Sequence, residues 1–329
     1  METIRWGIVG CGKIADKFAS DLQWTKGSQL VAVASKDKVK AINFAQKYNV
    51  LMAHGNYEEL ALNPEVDAVY IATTHNFHQQ NALLFLEHEK AVLCEKPLAI
   101  NARQVKEMVD MARTKKVFFM EGLWTKFLPH YNIVNTMIKE GQLGDLKSMQ
   151  VNFGFKLHAP APDRLVNPAL GGGSLLDIGI YNVFMVLSFM GKPDNIQAIM
   201  TPATTGVDEQ CAITFSYNNG GMAQMLSSFA SNLATSCEIS GTEGRINLGT
   251  RFYEPSTTIT YYSKNFSQGR AIPFLKPKGW GYHEQINHVN HCIRKGLKES
   301  PIMSHADSIL LIETLDAIRA KAGIVYEWD

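Results

Sequence analysis

The N-terminal stretch Ile4-Arg-Trp-Gly-Ile-Val-Gly-Cys-Gly-Lys-Ile-Ala15 constrains the fold more than any other part of this chain. A short apolar run, Ile4 to Val9, leads into Gly10-x-Gly12-x-x-Ala15, and the residues that follow read as a helix. A strand that turns on glycine into a helix is the first unit of a dinucleotide-binding sheet. Each small residue has a task in that unit. Gly10 permits the tight turn, Gly12 lets phosphates approach the backbone, and Ala15 lets helix and strand pack closely. The N–H groups that open the helix, at Lys13 and Ile14, would hold a pyrophosphate.

The next 100 residues repeat the pattern. Gln29 to Ser35 reads as a buried parallel strand that ends Ser35-Lys36-Asp37-Lys38, with Lys40 close behind. A site built for NAD usually places an acid about 20 residues past the glycines, for the ribose 2′-hydroxyl. Here Ser35 removes the repelling carboxylate and Lys36 offers a cation to a 2′-phosphate, which favours NADP and leaves NAD possible. Asp37 admits two readings, as that acid or as the N-cap of a helix from Lys38 to Tyr48, and the cap fits better. Val66 to Ala72 is the next strand, followed by Thr73-Thr74-His75-Asn76-Phe77-His78 and a helix from Gln79 to His88. Lys90 to Cys94 is a strand that delivers Glu95-Lys96-Pro97. A helix (Ala102 to Lys115) and a strand (Val117 to Glu121) complete the set. Short apolar strands alternating with helices predict an α/β, doubly wound parallel sheet over residues 1–121. Such sheets bind ligands at the carboxyl ends of their strands. Thr73, His75, His78 and Glu95 are therefore candidate cofactor residues. Lys96 by residue type alone is an ordinary surface lysine. Its place just past a buried strand, before a proline that keeps it extended, makes it a catalytic candidate that also touches the cofactor.

Residues 122–329 read as a second, α+β domain. A helix from Leu128 to Glu140 ends at Gly141, and strands begin at Lys147 to Lys156. Gly171-Gly172-Gly173-Ser174 then opens a long apolar helix, Leu175 to Met190. Asp177 and Tyr181 are four apart on that helix and share a face. An acid in so apolar a setting needs a partner. Singly, Asp177 could serve the helix dipole and Tyr181 the core. With Lys96 they form a candidate acid–base cluster. From Asn195 to Ser240 strands dominate, with Asn218-Asn219-Gly220 marking a hairpin. That stretch has only three charged residues, Asp208, Glu209 and Glu238. Gly221 to Phe229 puts Met222 and Leu226 on one face and Met225 and Phe229 on the other, so both faces are expected to be covered. One would lie under the domain's own helices and the other in a homodimer interface. Helices near Tyr282 to Lys295 and His305 to Ala322 close the chain.

Composition narrows the classes. The chain of 329 residues suits two domains, and 46% hydrophobic with 19% charged residues suits a soluble globular protein. A net charge of +1 gives no reason to expect nucleic acid or an anionic membrane as partner. No apolar run approaches the ~20 residues of a membrane span. The first strand begins too close to Met1 to leave room for a signal peptide. Five widely spaced cysteines without Cys-x-x-Cys argue against a disulfide framework or a zinc site, and His288 and His291 lack a nearby carboxylate pattern. The expectation is a cytoplasmic protein without a metal.

The cluster suits hydride transfer coupled to proton transfer at a hydroxyl or carbonyl group. A tyrosine titrates near ~10 in water, so a cation such as Lys96 must lower its pKa. The sequence has no Tyr-x-x-x-Lys. Gly10-Cys-Gly12, Glu95-Lys96-Pro97 and Gly171-Gly-Gly-Ser-Leu-Leu-Asp177-Ile-Gly-Ile-Tyr181 together resemble the glucose–fructose oxidoreductase and inositol dehydrogenase (Gfo/Idh/MocA) family, over essentially the whole chain. Ala91 to Pro97, Met120 to Phe127, Leu176 to Tyr181 and Cys292 to Pro301 look like its dihydrodiol dehydrogenase branch.

The resemblance implies a Rossmann domain followed by an open-faced, mostly antiparallel sheet that dimerises. It implies Lys96, Asp177 and Tyr181 as the catalytic set, with Tyr181 where many members carry histidine. It implies His75 and His78 beside the nicotinamide, and Trp124 and Phe153 with Asp177 and Tyr181 around the substrate. The implied substrate is an aldose, polyol or cyclic trans-diol. Two departures stand out: Lys126 replaces an arginine of that branch, and Phe252 and Tyr253 replace a tryptophan. The alternative is an inactive NADP-binding sensor of the same fold.

Overall fold

The computed structural model describes residues 2–265 and 268–329. The chain divides into two compact units, Met1–Lys126 with Pro277–Ile309, and Phe127–Lys276 with Leu310–Asp329. The expected boundary after residue 121 thus moves, and residues 277–309 return to the first unit. Two long-range polar contacts explain the return. Asp21, buried on the first helix, accepts from the backbone N–H of Trp280 at 3.0 Å and of Tyr282 at 2.7 Å. The Trp6 indole donates to Asn290 at 3.1 Å. Without that returning segment the Asp21 carboxylate would lose its donors.

The first unit holds β1 (Ile4–Val9), α1 (Lys13–Leu22), β2 (Ser28–Ala34), α2 (Lys38–Lys47), β3 (Met52–His54), α3 (Tyr57–Ala61), β4 (Ala68–Ile71), α4 (His78–Glu87), β5 (Ala91–Glu95), α5 (Ala102–Lys115) and β6 (Phe119–Gly122). All pairings are parallel, in the order β3-β2-β1-β4-β5-β6. This is the doubly wound order of a dinucleotide fold, with its switch point between β1 and β4. Several predicted ends shift by one to three residues, as at β6. Asp37 resolves as the N-cap of α2, since its side chain accepts from the N–H groups of Val39 and Lys40.

The second unit holds α6 (Pro129–Lys139), β7 (Leu146–Gly154), α7 (Asp163–Val166), α8 (Ile180–Met190), β8 (Asn195–Pro202), β9 (Asp208–Ser216), β10 (Met222–Ser228), β11 (Cys237–Gly241), β12 (Gly244–Leu248), β13 (Ile259–Ser263) and β14 (Arg270–Ile272). The sheet order is β14-β13-β12-β11-β7-β10-β9-β8, antiparallel except where β7 meets β10. Gly220, at φ +84°, makes the predicted β9–β10 turn. Met225 and Phe229 face inward, and α8 packs on β7 and β10. Met222 stands 49% exposed on the other face, and Ile199 71%. Among the described residues only one face is therefore covered. The open face carries amides and hydroxyls such as Gln150, Gln197, Thr214 and Gln224 where charges would otherwise alternate with core residues.

Two expectations about the apolar helix need correction. Its first turn, Leu175–Gly179, is π-helical, and the α-helix begins only at Ile180. The segment Pro168–Met190 is also long and apolar enough, by length and composition, to cross a membrane. It is broken by that turn and 78% buried within the protein, as a core helix is.

Candidate active site

In the first unit the glycine turn has the expected form. Gly10 sits at φ +90°, and a Cβ there would lie 3.0 Å from the Ala72 carbonyl and 3.1 Å from Thr73 Cγ2. Gly12 differs, because a Cβ would meet nothing within 4 Å. Its glycine answers to no protein neighbour, and the vacant space lies at the start of α1, which no side chain caps. That is the cradle a pyrophosphate needs, so the residues fit a dinucleotide. Lys13 is exposed and Ile14 half-buried on the first turn, and Ala15 is fully buried, as close packing of helix and strand requires. At the end of β2 the Ser35 hydroxyl accepts from the Asp37 N–H at 3.2 Å. The Lys36 ammonium is exposed and rests 3.9 Å from the centre of the Phe77 ring. The Thr73 hydroxyl accepts from Asn81 at 3.1 Å, and His75 is buried with its ring edge-on to His78.

The loop carrying Lys96 is braced from inside. Lys96 is half-buried and joined to Pro97 by a cis peptide bond. His78 is fully buried, with one ring nitrogen 2.8 Å from the Pro97 carbonyl and the other 3.1 Å from the Thr73 carbonyl. Burial, with the nearby Lys96 charge, holds its pKa below the ordinary histidine value, although both carbonyls act against that shift. His78, expected beside the nicotinamide, braces two loops in the structure. Glu95 is likewise buried. The Tyr70 hydroxyl donates to it, the Lys96 N–H lies 3.3 Å from its other oxygen, and Tyr70 stacks on Phe18 at 3.8 Å. Glu121, at the end of β6, accepts from the Leu98 N–H at 3.0 Å. Burial pushes its pKa up to about 7, with Glu95 adding to the rise. Trp124 belongs to this unit and stacks on Tyr282 at 4.8 Å. Lys126 pairs at 2.9 Å with Asp307, whose carboxylate accepts from the N–H of Ser304, the residue that caps the helix His305–Ala322.

In the second unit the partner that Asp177 requires is Arg164 on α7, whose Nη1 lies 2.8 Å from Asp177 Oδ1. An aromatic wall stands with this pair. Phe153 stacks on Tyr253 with centroids 4.4 Å apart, and Tyr181 leans on both at 6.0 and 5.1 Å. Burial raises the Tyr253 pKa to about 12, and the charge of Asp177 contributes to the rise. Phe252 packs edge-on against Phe153 and Tyr253. The two departures at 252 and 253 thus join one cluster with Tyr181. A charged pair beside flat apolar rings can hold a polyhydroxylated or cyclic molecule by its hydroxyls and its C–H face.

Sequence reasoning missed Arg164 and Glu121. The need of Asp177 for a cation was the signal for the first. For Glu121 there was none beyond an acid at the end of a buried strand. Among the described residues, no group of three or more metal-ligating side chains occurs.

Comparison with known proteins decides the lineage. Residues 4–123 match the Gfo/Idh/MocA oxidoreductase domain with NAD-binding Rossmann fold, and residues 131–247 match the Gfo/Idh/MocA C-terminal domain. The trans-1,2-dihydrobenzene-1,2-diol dehydrogenase of Mus musculus is 39% identical over 334 residues, covering 99% of both chains. The chain belongs to the Gfo/Idh/MocA oxidoreductase family. A second relative, the dehydrogenase of the same name from Sus scrofa, is 37% identical over 99% of both chains. The fold of the family recurs in an aldose-aldose oxidoreductase from Caulobacter crescentus, complexed with glycerol, at TM-score 0.90, 22% identity and 98% coverage of each chain. It recurs again in a 3-ketoreductase from Actinomadura kijaniata in complex with NADP, at TM-score 0.83, 22% identity and 98% coverage of each. As in the rest of the family, the first unit is an NAD(P)-binding Rossmann domain and the protein an oxidoreductase.

Proposed function

We propose that the protein is an NADP-preferring dehydrogenase or reductase of CH–OH groups, acting on an aldose, polyol or cyclic trans-diol. The observation that carries this reading is the Asp177–Arg164 pair, set on the turn before Tyr181 and beside the wall formed by Phe153 and Tyr253. In this reading the nicotinamide supplies the hydride chemistry. Tyr181 takes or returns the hydroxyl proton, Lys96 supplies the cation that brings the phenol into a useful range, and Asp177 orients the substrate. Gly10, Gly12, Lys13 and Ile14 hold the pyrophosphate. Ser35 and Lys36 receive the 2′-phosphate, and Thr73, His75 and Lys96 border the nicotinamide ribose. Trp124 and Phe153 are the substrate aromatics. The family membership and the relatives named as dehydrogenases favour an enzyme over a sensor.

The same proposal makes the protein a cytoplasmic homodimer paired through the open sheet face. Exposed Ile199 and Met222 among the neutral side chains of Gln150, Gln197, Thr214 and Gln224 support it, and the charged residues Glu238 and Arg245 on that face already pair with each other. The test is a spectrophotometric screen of aldoses, including D-xylose, of polyols, inositols and trans-diols with NADP and NAD, followed by Tyr181→Phe. The expected result is turnover that Tyr181→Phe reduces at least 100-fold, with NADPH binding intact. Wild-type turnover in that variant overturns the assignment.

A further inference from the structure

Asp208 has no part in the chemistry above, yet it grips the start of the segment that carries Asp177 and Tyr181. It opens β9 and is fully buried. Its Oδ2 accepts from the Leu175 N–H at 2.7 Å and from the Ser174 hydroxyl at 2.8 Å. Ser174 Oγ also lies 2.9 Å from Ser227 Oγ of β10. A helix start is ordinarily capped by the residue just before it. Ser174 provides no such cap here, and its hydroxyl is directed to Asp208 instead. The cap comes from a different strand, 33 residues along the chain.

The capped turn is the π-helical one, Leu175–Gly179, with Asp177 in its middle and Tyr181 just beyond. Such turns are rare and occur often at functional sites. Three further contacts support this one. Gly173 stands at φ +119°, where a Cβ would lie 2.2 Å from Asp208 Oδ1, so only glycine lets the carboxylate come so close. The Tyr326 hydroxyl donates to the Gly172 carbonyl at 2.5 Å. A Cβ on Gly179 would lie 3.1 Å from Ser227 Oγ, which seats the far end of the turn on the sheet. Asp208 Oδ1 itself is buried with no hydrogen-bond partner among the described residues. A carboxylate left half-satisfied in the interior costs stability that a neutral acceptor would not.

We propose that Asp208 is a positioning residue for the reaction: it locks the π-helical turn and so fixes the Asp177 carboxylate relative to the Tyr181 hydroxyl. The inference rests on Tyr181 as the acid–base group. It acts through Leu175 and Ser174, without contact to substrate.

The test compares Asp208→Asn, Asp208→Ala and Ser174→Ala as purified full-length proteins, with D-xylose and trans-cyclohexane-1,2-diol as the alcohols. Asparagine keeps an acceptor for Leu175 and Ser174 and puts its amide where Oδ1 has no partner, so its kcat should stay within threefold of the parent. Alanine should lower kcat about 100-fold and move the pH profile of kcat, with the NADPH Kd and the alcohol KM within threefold. Ser174→Ala removes one of the two bonds and should lower kcat about tenfold, which keeps the test open if Asp208→Ala does not fold. Unchanged kcat and pH profile in Ser174→Ala or in folded Asp208→Ala overturns the inference alone. So does an equal loss of kcat and NADPH binding. Full activity in Tyr181→Phe, or a parent inactive on every aldose, polyol, inositol and trans-diol of the screen, overturns the proposed function and this inference with it.

Discussion

Arg164 Nη1 and Asp177 Oδ1 lie 2.8 Å apart, and the two side chains differ sharply in setting: the arginine is 49% exposed and the aspartate 9%. The cation stays in water while it neutralises an acid in an apolar helix. Removing it leaves the carboxylate in place with one cation fewer beside it.

Arg164→Gln should therefore destabilise the protein by about 1–2 kcal/mol, less than the ~3–5 expected when a fully buried pair is broken, because solvent already reaches the arginine. Urea unfolding of both proteins at pH 7.5 checks this. An unchanged midpoint would mean that other groups carry the Asp177 charge.

Glu121 makes stability depend on pH. Its folded pKa of about 7 lies above the ordinary 4.5, so between those values the folded protein keeps a proton that the unfolded chain releases. This contribution to stability falls as pH rises through that window, by on the order of 3 kcal/mol in total. Glu121→Gln keeps an acceptor for Leu98 and removes the titration. Its stability relative to the parent should rise from pH 4.5 to 7 and level off above, as read by denaturant unfolding at several pH values. A parallel pair of curves would refute the assignment.

Gly10 and Gly12 should respond differently to the same substitution. Gly10→Ala forces a side chain into φ +90° against the Ala72 carbonyl, so it should cost about 1–3 kcal/mol of stability as well as cofactor binding. Gly12→Ala meets no protein atom, so its melting temperature without ligand should match the parent, while NADPH binding weakens at least tenfold. Thermal unfolding with and without NADPH separates the two.

At the end of β2, Ser35→Asp should shift cofactor binding toward NADH. A carboxylate there repels a 2′-phosphate and can accept from a ribose 2′-hydroxyl, which should weaken NADPH relative to NADH by about tenfold or more. Fluorescence titration with both cofactors measures the ratio. If the ratio does not move, Ser35 does not border the 2′ position.

Much of the first sheet could be read directly, because its signals are local. A glycine turn, buried runs of four to seven residues and a cap such as Asp37 each act within a few positions. What could not be read depends on residues far apart in sequence. Asp21 meets Trp280 across 259 positions, so the return of residues 277–309 to the first unit left no local trace. The inward turn of Glu95 and His78 was hidden for another reason: a polar residue at a strand end can face a ligand or a neighbouring loop, and residue type does not distinguish the two. The π-helical turn was invisible because Asp177 and Tyr181 are four apart in either kind of helix. Asp208 did leave a trace. It was one of three charges in a long neutral stretch, but Glu209 beside it carries the same charge, and only the structure shows which of the two turns inward.

The return of residues 277–309 has a consequence for how the protein comes into being. A chain made from its N-terminus presents all six strands of the first sheet early, but the donors for Asp21 emerge only after residues 127–276 have left the ribosome. The second unit's sheet, β7 to β14, is complete by then. The nucleotide-binding half starts first and closes only after the second sheet has been made, so a chain cut short before residue 280 would carry the glycine turn without the packing that steadies the helix behind it.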